Sequence, residues 1–124
     1  MGIDIYAKWD RQTSSEAEAQ ITGFSVEHGH VGYLREAYHG GPYATRILVR
    51  EAFDAEDHEA LIPAEVMRDR LPIVTAAVIA RGKLIYHEEL SVDSPEVRAF
   101  ENFVELCARK EAETGKPCRI VASY

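Results

Sequence analysis

The chain has only 2 cysteines and 1 tryptophan, and it has no cluster of basic residues. Each shortage closes off a class of protein. Cys107 and Cys118 are too few for a disulfide framework, and their spacing is not that of a zinc site. The longest apolar run, Ile73–Ala80, is interrupted by Thr75 and falls far short of the roughly 20 residues that span a bilayer. Met1-Gly2-Ile3-Asp4 lacks the basic region and apolar stretch of a secretion signal, and the serine or threonine of a myristoylation signal. A cytoplasmic protein without a membrane partner is expected. Basic residues number 14 against 21 acidic ones, a formal charge of −7. That excludes a nucleic-acid partner on charge grounds, because backbone binding is driven by cations displacing counterions. The acidic runs, Asp54–Glu59 and His87–Glu89, read as solvated surface that keeps the chain soluble.

What is present is ordinary globular material. Of the 124 residues, 46% are apolar, enough for one core over residues 1–124 and too few for two. Ile3, Ile5, Ala7 and Trp9 alternate with polar neighbours, the period of a half-buried strand. Thr13 and Glu16 form a capping-box pattern, so a helix is expected from Ser14 to Thr22, closed by Gly23. Phe24–His28 reads as a short extended piece. Val31–Tyr38 holds good helix formers before Gly40 and is read as a helix, with a hairpin turning at His39–Pro42 as the rival. Ile47, Leu48 and Val49 suggest a strand over Ala44–Arg50.

Pro63 suits a helix start, and Met67, Leu71, Val74 and Val78 share one helical face. Pro72 is expected to kink or divide that helix, and Arg81-Gly82 to end it. Leu84–His87 reads as a strand. Ser94, Pro95 and Glu96 open the clearest helix, Pro95–Thr114. Its apolar stripe is Val97, Phe100, Val104, Cys107 and Ala108, with Phe103 at the edge. Gly115 and Pro117 stop it before a last strand, Cys118–Tyr124. A right-handed crossover from Leu84–His87 would place that strand on a parallel neighbour. The expected class is α+β, a two-layer domain with helices on one face of a small mixed sheet.

Glu27–Tyr43 has the composition of a site. It carries 3 of the 5 histidines, with Tyr33, Tyr38, Tyr43, Arg35 and several glycines. Glycine permits close backbone approach, while histidine and tyrosine add polar tips to apolar bodies. One reading is a metal centre. His28 and His30 would project to the same side of an extended segment, and His39, Glu27 or Glu36 would complete a zinc-like set with an open position for water. A second is a pocket for a small polar or anionic ligand, held by Arg35 and Arg46 between tyrosines. A third is a self-association surface, since tyrosine and arginine are enriched at interfaces and most oligomers are two-fold. Elsewhere the signals are weak. His87-Glu88-Glu89 lacks the second histidine of a zinc-protease helix, no Gly-x-Ser-x-Gly elbow exists, and Cys107 lies on an apolar stripe as a packed thiol. Cys118 follows a lysine and a proline, a context that lowers a thiol pKa slightly.

Met1-Gly2-Ile3-Asp4-Ile5-Tyr6 and Val31-Gly32-Tyr33-Leu34-Arg35-Glu36-Ala37 resemble a group of small bacterial and phage-associated proteins. Those open Met-Gly-Leu-Asp-Met-Tyr and carry a later Gly-Tyr-Trp-Arg-Lys-Ala segment. The match spans about a tenth of the chain and departs at the tryptophan and lysine. It implies no activity, only that the first strand and the Gly32–Ala37 element meet in one site. The resulting expectation is a cytoplasmic, self-associating (dimeric) domain that binds a small ligand through Asp4, Tyr6, His28, His30, Tyr33, Arg35, Tyr38 and His39. The alternative is a metal-dependent hydrolase using His28, His30 and His39, with Glu36 or Asp4 activating water. The residues name no cofactor beyond such a metal.

Overall fold

The alternation of Gly2–Lys8 makes the first strand, β1, and buries Ile3, Ile5 and Ala7 on one face. The computed structural model of the chain describes residues 2–22, 34–37 and 42–124. Its elements are β1, α1 (Ser14–Thr22), β2 (Leu34–Ala37), α2 (Ala44–Leu48), α3 (Arg50–Asp54), β3 (Glu59–Ile62), α4 (Ala64–Ile85), α5 (Pro95–Thr114) and β4 (Cys118–Ser123). The class is α+β. The sheet order is β2-β1-β4-β3. All three pairings are antiparallel, so the sheet is not the mixed one expected.

The inward face of the sheet presents Ile3, Ile5, Leu34, Ile62, Cys118 and Ile120. These form one core with Leu48, Met67, Val74, Phe103 and Val104 of the helices. The opposite face follows from the register. Asp4 lies between Arg35 and Ser123, Tyr6 opposite Val121, and Lys8 opposite Arg119.

Among the described residues, β2 covers β1 over Gly2–Ile5. Past that point the Gln20 carboxamide takes the place of a strand. Ala7 N–H donates to its Oε1 at 3.0 Å, and its Nε2 donates to the Ala7 carbonyl at 2.6 Å. The capping box at α1 forms as the sequence suggests: Glu16 N–H donates to Thr13 Oγ1, and Thr13 N–H to Glu16 Oε1. At the other end of the chain Gly115, at φ 75°, closes α5 in the left-handed conformation that favours glycine.

Four segments differ from the sequence reading. Leu34–Ala37 is a strand, not part of a helix, because β1 offers it a ladder and its alternation buries Leu34 and Glu36. Ala44–Leu48 is helical, and Val49 then links it to α3, although Ile47-Leu48-Val49 is β-prone, because a carboxylate from β2 holds the first turn of α2. α4 is not divided at Pro72 but continues through it as one helix. Leu84 and Ile85 are its last residues rather than a strand. The chain then turns back with Tyr86 and Glu88 N–H both donating to the Gly82 carbonyl. Gly82 lies within the helix and does not end it. A Cβ there would sit 2.6 Å from Leu90 Cδ1, so the returning segment packs directly on bare backbone. The expected extended piece Phe24–His28 lies outside the described residues.

Candidate functional site

Glu36 is the inward-facing acid of β2, only 9% exposed. An ionised carboxylate at that depth needs partners, and it has a full set. Oε2 accepts from Ala44 N–H at 2.9 Å and from Arg81 Nη1. Oε1 accepts from Thr45 N–H at 3.0 Å and the Thr45 hydroxyl at 2.6 Å. These four bonds match the lone-pair capacity of a carboxylate. Glu36 therefore caps α2 from a different element, and it has no acceptor left for activating a water.

Arg81, on α4, is 8% exposed. Besides Glu36, it donates from Nη2 to the Ala37 carbonyl at 2.9 Å, and its guanidinium lies 5.0 Å from the Tyr43 ring centre. Its Nε is buried without a hydrogen-bond partner.

Beside this pair is a cavity of about 290 Å³ between β2, the C-terminal half of α4, residues 86–90 and the first two turns of α5. Leu34, Val78, Leu90, Ala99 and Phe100 give it apolar walls, and Arg81, Glu36 and Glu96 are among its polar residues. The volume sits at the lower edge of the roughly 300–1,000 Å³ typical of small-molecule sites. Glu96 lies in the first turn of α5, where the helix dipole favours a negative charge. Its Oε2 is buried without a hydrogen-bond partner among the described residues. A buried polar atom left unsatisfied costs about 1–3 kcal/mol, more when charged. Packing alone would not select for that.

The expected site residues divide. Asp4, Tyr6 and Arg35 share the open face of the sheet, with Arg35 Nε 3.7 Å from Asp4 Oδ1. Arg35 also lines the cavity, whereas Asp4 and Tyr6 do not. Arg46 is separate, its guanidinium 5.9 Å from the Phe53 ring centre. Glu27, His28, His30, Tyr33, Tyr38 and His39 lie outside the described residues. Among the described residues, no cluster of three or more His, Cys, Asp or Glu side chains could hold a metal.

Sequence reasoning missed Arg81 and Glu96 as parts of a site. A signal for Arg81 was present: it continues the stripe Met67, Leu71, Val74, Val78, where a charged residue implies a buried partner. Glu96 carried no such mark, because an acid in a first helical turn is ordinary.

Cys107 and Cys118 are buried, free and adjacent, with the Cys118 thiol 3.7 Å from the Cys107 carbonyl. Hydrogen bonding to Cys118, then burial, push the Cys107 thiol well above the ordinary range. The same contact lowers Cys118, and it, rather than Lys116 or Pro117, is the main cause.

No protein-family model, curated protein or solved structure matches the chain.

Proposed function

We propose that this is a small-ligand-binding domain, with its site in the cavity between β2, α4 and α5. One observation carries the reading: an apolar-walled cavity is lined by the Arg81–Glu36 pair and by Glu96, and among the described residues Arg81 Nε and Glu96 Oε2 are buried without a hydrogen-bond partner. Apolar walls with a few placed polar groups are the usual make-up of a ligand site. The site overlaps the segment singled out by composition, since Leu34, Arg35, Glu36 and Ala37 line it. A fragment screen by NMR tests it. Fragments should shift the Ala99 and Phe100 resonances of the parent, and Val78→Phe, which fills the space, should abolish the effect. A screen with no such fragment overturns the proposal.

Self-association is a second reading, favoured by Leu84, Tyr86 and Val92, large apolar side chains exposed by 77%, 44% and 58% at one end of α4 and just beyond it. Sheet extension through β3 is a poor route. Ala122 N–H bonds to the His58 carbonyl, so the pairing of Ala60 with Ile120 directs the free backbone groups of Glu59 and Leu61 to the open edge. There the Glu59 N–H is held by Asp57 Oδ1, and Pro63 has no N–H to give. Only Leu61 offers both groups, and such blocking is how edge strands avoid pairing. A dimer built on Leu84, Tyr86 and Val92 would use side-chain contacts rather than this edge. Light scattering over a range of concentrations tests this, and a monomer mass throughout refutes it.

The hydrolase reading rests on His28, His30 and His39 with Asp4 as base, Glu36 being occupied. Elemental analysis of untagged protein decides it, and a metal-free protein rules it out.

A further inference from the structure

We propose a second binding site, at the far end of α5 from the first cavity, for a small phosphate monoester on a flat apolar body. Lys8, Lys116 and Arg119 receive the phosphate, and Trp9 with Pro117 receives the body. This site does not depend on the first cavity binding anything.

The sequence has no basic cluster, and the fold assembles one from the two ends of the chain. A cleft of about 360 Å³ opens where the end of β1, the start of β4 and the end of α5 meet. It is lined by three cations, Lys8, Lys116 and Arg119, and by one acid, Asp10. That is a local excess of positive charge in a chain whose formal charge is −7. None of the three cations is firmly held. Lys116 Nζ reaches Asp10 Oδ2 at 3.1 Å, but both side chains are mostly exposed, and such pairs contribute little. Lys8 Nζ lies 3.7 Å from Glu59 Oε1, an acid outside the lining and beyond ordinary hydrogen-bond reach. Arg119 has neither an ion pair nor a side-chain hydrogen bond among the described residues.

The strand register adds an independent observation. Lys8 stands directly opposite Arg119 across the β1–β4 ladder, and like charges facing each other in this way destabilise a sheet. An acid at either position would have made a stabilising pair. A dianion held between them turns the repulsion into attraction. A phosphate monoester carries about −1.5 to −2 near pH 7, which matches the excess, and a guanidinium fork suits its oxygens. The negative end of α5 opposes this only weakly. The Lys110 carbonyl accepts from the Thr114 hydroxyl and the Glu111 carbonyl from Gly115 N–H, each at 2.8 Å. Trp9 and Pro117 give the cleft an apolar wall, and its volume is at the lower end for small-molecule sites.

The chain has 1 tryptophan, so its indole N–H gives a single NMR signal at the cleft. Phenyl phosphate, inorganic phosphate, benzoate and phenol are titrated into the isotope-labelled full chain at low salt and neutral pH. Phenyl phosphate should shift the Trp9 indole and the Arg119 amide saturably, with each of the other three at least ten-fold weaker. Arg119→Gln should lose at least ten-fold in phenyl phosphate affinity and melt no lower than the parent, because it removes a repulsion. Arg98→Gln, which deletes an exposed cation at the opposite end of α5, should bind like the parent. Unchanged affinity in Arg119→Gln, or an equal loss in Arg98→Gln, overturns the assignment. So does benzoate or inorganic phosphate binding as tightly as phenyl phosphate. The ranking of probes is measured on the parent, so it holds even if a variant folds poorly. Saturable shifts at Leu90, Ala99 and Phe100 without any at Trp9 would place the ligand in the first cavity and overturn this site alone.

Discussion

Arg81→Met is the sharpest test of the buried pair. Methionine keeps much of the aliphatic stem of arginine while removing the guanidinium, so packing changes little and Glu36 is left charged. Truncating one partner of a buried ion pair costs about 3–5 kcal/mol. Here Glu36 retains three of its four donors, the Ala44 and Thr45 N–H groups and the Thr45 hydroxyl, which argues for the lower end. The Ala37 carbonyl also loses its bond from Arg81, returning about 1 kcal/mol. A loss of about 4 kcal/mol is expected. At roughly 3–5 °C per kcal/mol for a chain of this size, melting should fall by about 10–20 °C. Adding Glu36→Gln removes the stranded charge, so the double variant should melt above Arg81→Met alone. Differential scanning calorimetry with urea titrations reads both. A melting point within two or so degrees of the parent, or a double variant less stable than the single one, would refute the account of Arg81 as a buried charge held by Glu36.

Three other outcomes follow from particular contacts. Gly82→Ala should destabilise by about 1–2 kcal/mol, although an exposed helical glycine usually gains from that change, because the new Cβ meets Leu90 at 2.6 Å; a stabilised variant in urea titration would show that residues 86–90 do not pack on α4. Gln20→Ala should cost about 1–3 kcal/mol by stripping the Ala7 N–H and carbonyl of their partner, and faster amide exchange at Ala7 is the accompanying sign. The Arg70 guanidinium donates to both Glu51 oxygens at 2.7 Å and holds that carboxyl below its ordinary value. A folded-state pKa depressed in this way adds stability that is fully present above the unfolded value, about 4.3, and is lost as pH falls through the lower folded value. Glu51→Gln should therefore lower melting at pH 7 modestly, the pair being partly exposed, and the gap from the parent should close well below pH 4; a gap that persists in strong acid contradicts it.

Elements whose cause is local were legible in the sequence. The first strand shows in its alternation, the α1 start in Thr13 and Glu16, and the long α5 in its opening proline, apolar stripe and closing Gly115. Each of these depends on residues within a few positions of one another. Phe103, set at the edge of the α5 stripe by periodicity, is fully buried. The width of that face depends on what packs against it, and spacing along the helix does not reveal this.

The rest was decided by contacts between distant residues. Leu34–Ala37 has helical propensity, but it extends because β1, far earlier in the chain, supplies hydrogen-bond partners. Ile47-Leu48-Val49 has strand propensity, but it coils because the Glu36 carboxylate satisfies two free N–H groups at the start of α2. Gly82 reads as a stop signal, yet the helix continues through it and uses the missing side chain to admit Leu90. The antiparallel order of the sheet and the cavity beside Arg81 and Glu96 have the same origin. Local preferences amount to less than about 1 kcal/mol per residue, whereas one buried ion pair, or a ladder of hydrogen bonds to a neighbouring strand, outweighs several of them. Composition and short-range pattern therefore determined that this chain makes an α+β core, and tertiary packing determined which ambiguous segments became strand or helix and where a space was left between them.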